Sequence, residues 1–356
     1  MDPSTKLAEQ RGFSVIEMVI AMAVMLVLTG AVASLMTSSM KLNATTYELT
    51  DAQENLRIAQ EYVNRDLMNA GDGLKSVSKI RVPEAFVEDY ITLNPVIDTL
   101  DNMPTGIINL GILTSDNDVP AGTVALRATP TATILAGTDR QTILEVDSEF
   151  IAITPTAIDS TGTVVTLPSG TDMTLFTVGE IYYLSSSAGA TFATVTGINA
   201  GTHQLTFANG GDDVYGLNLT GSENNIKVIS SSGALATSLQ RMMIIHYYVN
   251  SNKLLMRRVF GVKGAGFRDS VIAEHVLGVQ FNYSLETTDE FGNIVQPTET
   301  LTTRAQRLGV RQVEVTVTVE TPHALSDSVT RLSMTTGTSV RNMQFRQATQ
   351  PTAGGN

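Results

Sequence analysis

The pattern of apolar positions divides the chain into three regimes. Gly12 through Leu35 is one nearly unbroken apolar run, with Glu17 as its single charge. As a helix it is roughly 24 residues and about 36 Å long, enough to cross a hydrocarbon core of about 30 Å. From Thr37 to Ala70 the pattern turns amphipathic. Leu49, Ala52, Leu56, Ala59, Val63, Leu67 and Ala70 recur at spacings of three and four, one helical stripe. The faces off the stripe carry Glu48, Asp51, Glu54, Arg57, Glu61, Asn64, Arg65 and Asp66. No proline interrupts 13–70, so the pattern predicts one continuous helix that Gly71-Asp72-Gly73 stops. The stripe predicts that its distal half packs on the chain's own globular part. Gly30 is the weakest residue of that helix by propensity.

Beyond Gly73 the period shortens to that of strands. Lys75–Val82 reads as a first strand, and Glu84–Asn102 as irregular between prolines. Short β-like runs follow at Val124–Ala128, Thr142–Val146, Thr163–Leu167, Glu180–Leu184, Thr191–Ile198, His203–Phe207 and Ile226–Ile229. Residues 107–235 are low in charge and rich in Thr, Gly and Ala. They read as an inserted β module, with long decorated loops as the alternative. Met243–Asn250 and Lys253–Val259 flank Asn250-Ser251-Asn252 as a hairpin. Val276–Leu285 is a strand. Val313, Val315, Val317 and Val319 alternate with polar residues, the signature of a strand with one buried face. Arg331–Thr335 and Ser339–Phe345 close the head, and 347–356 is a polar tail. The fold class is α+β: a long amino-terminal helix on an antiparallel β head. The domains read as 1–12, 13–73, 74–106 with 236–346, the insert 107–235, and the tail 347–356.

Composition changes this picture in two ways. The net charge of −12 argues against a nucleic-acid surface, which needs a basic patch. The absence of cysteine leaves a folded part without disulfides or thiol chemistry. Lys6 and Arg11 sit just before the apolar run, so the positive-inside rule holds that end in the cytoplasm and sends the rest outward.

Glu17 is the anomaly. A carboxylate in a membrane span costs about 2.5–3.5 kcal/mol, so it demands a partner. A cleavable signal peptide also has a shorter core, with its cleavage site after the core and not before it. Gly12-Phe13-Ser14-Val15-Ile16-Glu17, behind a short basic leader, resembles the processing site of type IV prepilins and type II secretion pseudopilins. The other reading is an uncleaved signal anchor with a chance glutamate. The resemblance implies cleavage after Gly12, N-methylation of Phe13 and an assembly role for Glu17. It implies prepilin peptidase and methylase, other pilins or pseudopilins and an inner-membrane assembly platform as partners. It places the protein in the bacterial inner membrane, then in a pilus or pseudopilus. In assembled pili of that family a segment near Gly30 can unwind.

The carboxy-terminal third adds to this. Lys253–Val259, Val276–Tyr283, Val310–Val317 and Val340-Arg341-Asn342 follow in an order similar to minor pilins of the PilW type and J-type pseudopilins. The size of 107–235 departs from a compact J-type subunit and favours the pilus. The resemblance therefore implies a minor pilin that primes or tips a type IV pilus. The alternatives are a secretion pseudopilin and an adhesin-like module on a pilin stem.

No enzyme chemistry competes. His203, His246, His275 and His323 share no metal-binding spacing. Ser185–Ser187 and Ser230–Ser232 lack the frame of a nucleophile elbow, and Lys263-Gly264-Ala265-Gly266 lacks that of a phosphate loop. Asp116-Asn117-Asp118, Asp212-Asp213 and Asp289-Glu290 offer oxygen ligands without the spacing of a calcium loop. No catalytic residue, cofactor or metal is assigned.

Overall fold

The computed structural model describes residues 13–74, 80–93, 106–124, 133–210, 213–264, 266–285, 297–302, 304–323 and 329–340. The long helix α1 runs over Val15–Asn69, 55 residues and about 80 Å, without a break at Gly30. It ends where the sequence places its stop. Gly71 has φ +75° and Gly73 φ +72°, left-handed conformations that glycine adopts freely. The N–H of Gly71 donates to Leu144 O at 2.8 Å, which hands the end of α1 directly onto a strand of the head. A Cβ at Gly71 would lie 2.5 Å from Ile112 Cδ1, so a side chain there would also have to displace that methyl group.

The head begins with β1 (Ile80–Pro83) and α2 (Glu84–Tyr90). It continues with β2 (Ile107–Asn109), β3 (Leu113–Asp116), β4 (Arg140–Val146), β5 (Ala157–Ile158) and β6 (Val164–Thr166). Then come β7 (Ile181–Ser186), β8 (Gly189–Thr194), β9 (Gly197–Asn199), β10 (Gln204–Thr206) and α3 (Ile226–Ile229). The last part holds β11 (Ser238–Val249), β12 (Leu255–Phe260), β13 (Phe267–Ala273), β14 (Val276–Leu285), α4 (Arg304–Gly309), β15 (Val310–Glu320) and β16 (Arg331–Ser339).

Among the described residues these strands form three sheets. The main sheet runs β13-β12-β11-β7-β8-β1-β2, with β4 also on β11 and β3 on β4. Its trunk is β11. Ser238–Arg241 pair with β7, Met242–Tyr247 with β4, and Ile244–Val249 with β12 on the other edge. Pairing is antiparallel except between β1 and β8. The second sheet is β5-β6-β10-β9, and the third is β14-β15-β16. The long helix and the mostly antiparallel head bear out the α+β class.

Two apolar cores follow. The larger gathers the stripe of α1 with alternate residues of the main and third sheets, among them Ile143, Tyr183, Phe192, Tyr247, Phe281 and Val313. The smaller packs Tyr182, Leu184 and Ala193 against Val165, Leu205, Phe207, Phe150 and Phe176. The β7–β8 hairpin is therefore buried on both faces, odd and even residues serving different cores. That explains its nearly continuous apolar run. Residues 107–235 contribute β2, β3, β4, β7 and β8 to the main sheet, and the whole of the four-stranded outer sheet.

Several local expectations need correction. Ile226–Ile229 is a helical turn, not a strand. Asn225 caps it, its side chain accepting the Lys227 N–H at 2.8 Å, and a four-residue apolar run reads alike in either state. Glu84–Tyr90 is helical, beginning directly after Pro83, and its apolar Phe86, Val87 and Tyr90 share one buried face. Thr191–Ile198 divides between β8 and β9, which belong to different sheets. Strand β13 and helix α4 carry no clear period and escape the sequence pattern. Lys75–Lys79, most of Val124–Ala128, and 341–356 lie outside the described residues.

Candidate assembly site

The start of α1 is a capping box. Ser14 is extended, with φ −70° and ψ 142°. Its hydroxyl accepts the Ile16 N–H at 3.3 Å, and the Glu17 carboxylate accepts the Ser14 N–H at 3.0 Å. Ser14-Val15-Ile16-Glu17 has the S-x-x-E spacing of such a box, a local signal that the reading of the apolar run passed over. Glu17 thus has a first partner on its own chain, where the positive end of the helix dipole also favours a carboxylate. Gly12 lies outside the described residues. Phe13 stands exposed just ahead of the cap.

Among the described residues nothing covers this end of the helix. Every residue from Phe13 to Ala44 is exposed, including Val15, Ile16, Met22, Leu26 and Leu35. The helix is long and apolar enough to cross a membrane, with a mean hydropathy of 2.5 over its most apolar 18 residues. The arrangement offers lateral apolar contact to lipid or to like helices, with the Glu17 carboxylate as the only charge between Phe13 and Met40 and Lys41 following it.

The distal half of α1 is held differently. Ala52, Leu56, Ala59, Val63 and Leu67 are buried in the larger core. Polar side chains then set the register. Gln60 Nε2 donates to Val315 O at 3.0 Å and to Met334 O at 2.8 Å. Asn64 donates to the Thr336 hydroxyl at 2.8 Å and accepts from that of Thr338 at 2.6 Å. Asp66, off the apolar stripe, is only 2% exposed. Its Oδ2 accepts from the Tyr247 hydroxyl at 2.7 Å and from Arg257 Nε at 2.5 Å. Nearer the membrane end, Glu48 meets the His323 ring at 2.8 Å. Sequence periodicity marked the stripe but missed Gln60 and Asp66, because nothing local announces which polar residue meets a buried partner.

The other sequence candidates resolve individually. Asp116 is buried in an ion pair with Arg140, and also accepts from the Thr92 hydroxyl and the Leu93 N–H. Asp213 accepts the Tyr215 N–H, and burial pushes its carboxyl up. Asp212, Asp289 and Glu290 lie outside the described residues. His246 is stacked on Phe260 at 5.3 Å and bonded to Thr142. Burial holds its imidazole well below the usual range. His203 and His275 sit in left-handed turns. Among the described residues no group of three or more His, Asp or Glu is placed to hold a metal ion.

A family model described as the prokaryotic N-terminal methylation motif matches residues 7–33. No curated protein and no solved structure matches the chain.

Proposed function

We propose, for a chain that carries the amino-terminal motif of type IV prepilins and pseudopilins, that it serves as a minor pilin of a type IV pilus. In this reading prepilin peptidase cuts between Gly12 and Phe13, and the new amino terminus of Phe13 is methylated. The protein waits in the inner membrane as a single-pass subunit with its head outside. During assembly the stem leaves lipid for a bundle of like helices and keeps apolar contact throughout. Glu17 then meets the amine of a neighbouring Phe13, and two buried charges become one pair. The observation that carries this reading is the match at 7–33 on a helix exposed on every face from Phe13 to Ala44. Residues 107–235 are the inserted module of this reading, and the outer four-stranded sheet is its outlying part.

The test is mass spectrometry of sheared filaments from wild-type and deletion strains. The expected result is this chain in low amount, beginning at an N-methylated Phe13, with fewer filaments in the deletion. Loss of protein secretion with filaments intact would replace the reading by that of a type II secretion pseudopilin.

A further inference from the structure

The last turn of α1 meets the head through ionisable groups that the assembly reading does not use. Asp66 is buried with its Oδ2 taken by Tyr247 of β11 and Arg257 of β12. Arg65 reaches its other oxygen from the solvent side, at 3.6 Å. Glu145 lies opposite Met243 of β11 and on the same face of β4 as the core residue Ile143. It is only 7% exposed, and its carboxyl makes no hydrogen bond to any described residue. The joint thus holds two buried carboxyls, Asp66 from the stem and Glu145 from the head. Half-buried Arg257 is already committed to Asp66.

The charged surroundings of Glu145 are Arg65 and Asp66 on α1, Asp72 in the turn after it and Arg257 on β12. Tyr247 faces the same joint, and Asp147, Glu149, Lys263 and Arg268 line the cleft beside Met243 and Arg257. Burial first, and the Asp66 charge second, push the Glu145 carboxyl up to about 8, against the pull of Arg257. A carboxylate held largely out of water without a described donor is costly, so burial favours the protonated form.

We propose that this joint is a proton-controlled latch between stem and head. With Glu145 neutral, the last turns of α1 stay docked on β4 and β12. When Glu145 ionises beside Asp66, two like charges share one guanidinium and those turns loosen. The sign follows from linkage. The folded carboxyl binds its proton more tightly than the unfolded one, so the stabilisation is complete below the ordinary glutamate range. It falls as pH rises and is gone above about 8. The inference rests on the fold alone and stands or falls independently of the pilus reading.

The experiment uses the full chain in detergent micelles. Thermal unfolding is followed between pH 5 and 9 for the wild type, Glu145→Gln and Glu145→Met, with hydrogen exchange of the peptide spanning 56–69. Both variants should melt close to the wild type at pH 5 and above it at pH 9, by on the order of 5 °C. Exchange of 56–69 in the wild type should rise between pH 7 and 9 beyond the rise seen in Glu145→Gln. A melting difference that stays constant with pH overturns the latch. So does failure of both variants to fold, since the side chain would then be needed as an anion.

Discussion

The two halves of α1 belong to one unbroken helix and meet opposite surroundings. From Phe13 to Ala44 it is exposed on every face, and its one carboxylate is held by its own cap. From Ala52 to Leu67 it is apolar along a single stripe, and that stripe is buried. The difference shows where each half finds its specificity. Among the described residues the first half has no partner, so in the assembly reading apolar contact can be exchanged between lipid and other helices, and Glu17 and Lys41 are the charges that distinguish one register from another. The second half is fixed by the head, with Gln60, Asn64 and Asp66 locking a register that the apolar stripe alone would leave free to slide.

Breaking the pairing proposed for Glu17 should have the largest effect. Glu17→Ala is expected to insert normally and be cleaved after Gly12, yet to enter filaments poorly. The neighbouring amine is left buried and unpaired, at about 3–5 kcal/mol. Glu17→Gln sharpens the point, because its amide oxygen can still accept the Ser14 N–H while the charge is gone. It should share the defect in milder form. The ratio of the protein in sheared filaments to that in membranes measures both. Wild-type ratios for both variants would show that no neighbour's amine is met.

The next effect separates the halves directly. Leu67→Ala removes a fully buried side chain from the larger core and should lower the stability of the head by about 2–5 kcal/mol. Leu26→Ala, on the exposed half, should leave the head's unfolding midpoint where it is. Equal losses from the two substitutions in denaturant titrations would erase the distinction between the halves.

A smaller effect tests the register. Gln60→Ala leaves the Val315 and Met334 carbonyls without their side-chain donor in a buried place, at about 1–3 kcal/mol. The readout is the unfolding midpoint together with faster hydrogen exchange in β15 and β16. A shift in the midpoint with β15 and β16 unchanged would place the loss elsewhere.

The outline was legible wherever one residue's neighbours in sequence decide its state. The alternating valines of β15 point to a strand with a buried face, and Val313, Val315, Val317 and Val319 are all buried. Asn250-Ser251-Asn252 marks the turn between β11 and β12, where the Asn250 side chain accepts the N–H groups of Asn252 and Leu254. The apolar run, the stripe and the glycines after it mark α1 almost to the residue. Ser14 and Glu17 have the spacing of their own cap, a local signal passed over within the apolar run. Short apolar runs were the weak point, since Ile226–Ile229 has no length to establish a period, and Asn225 decided it.

What the sequence determined by itself was local: helix, strand and turn, each set by spacing and by the backbone preferences of single residues. The tertiary structure alone decided which polar groups are inside. Strand β4 shows this best, being buried along its whole length while carrying Arg140, Gln141, Thr142 and Glu145. Arg140 is tolerable there because Asp116 lies across from it, and Thr142 because it bonds His246 and Ile91 O. Gln141 meets the Tyr283 hydroxyl, while Glu145 has no donor among the described residues and burial pushes its carboxyl up. A charge can enter a core only where a distant segment brings its counterpart, and no stretch of sequence read alone contains that segment.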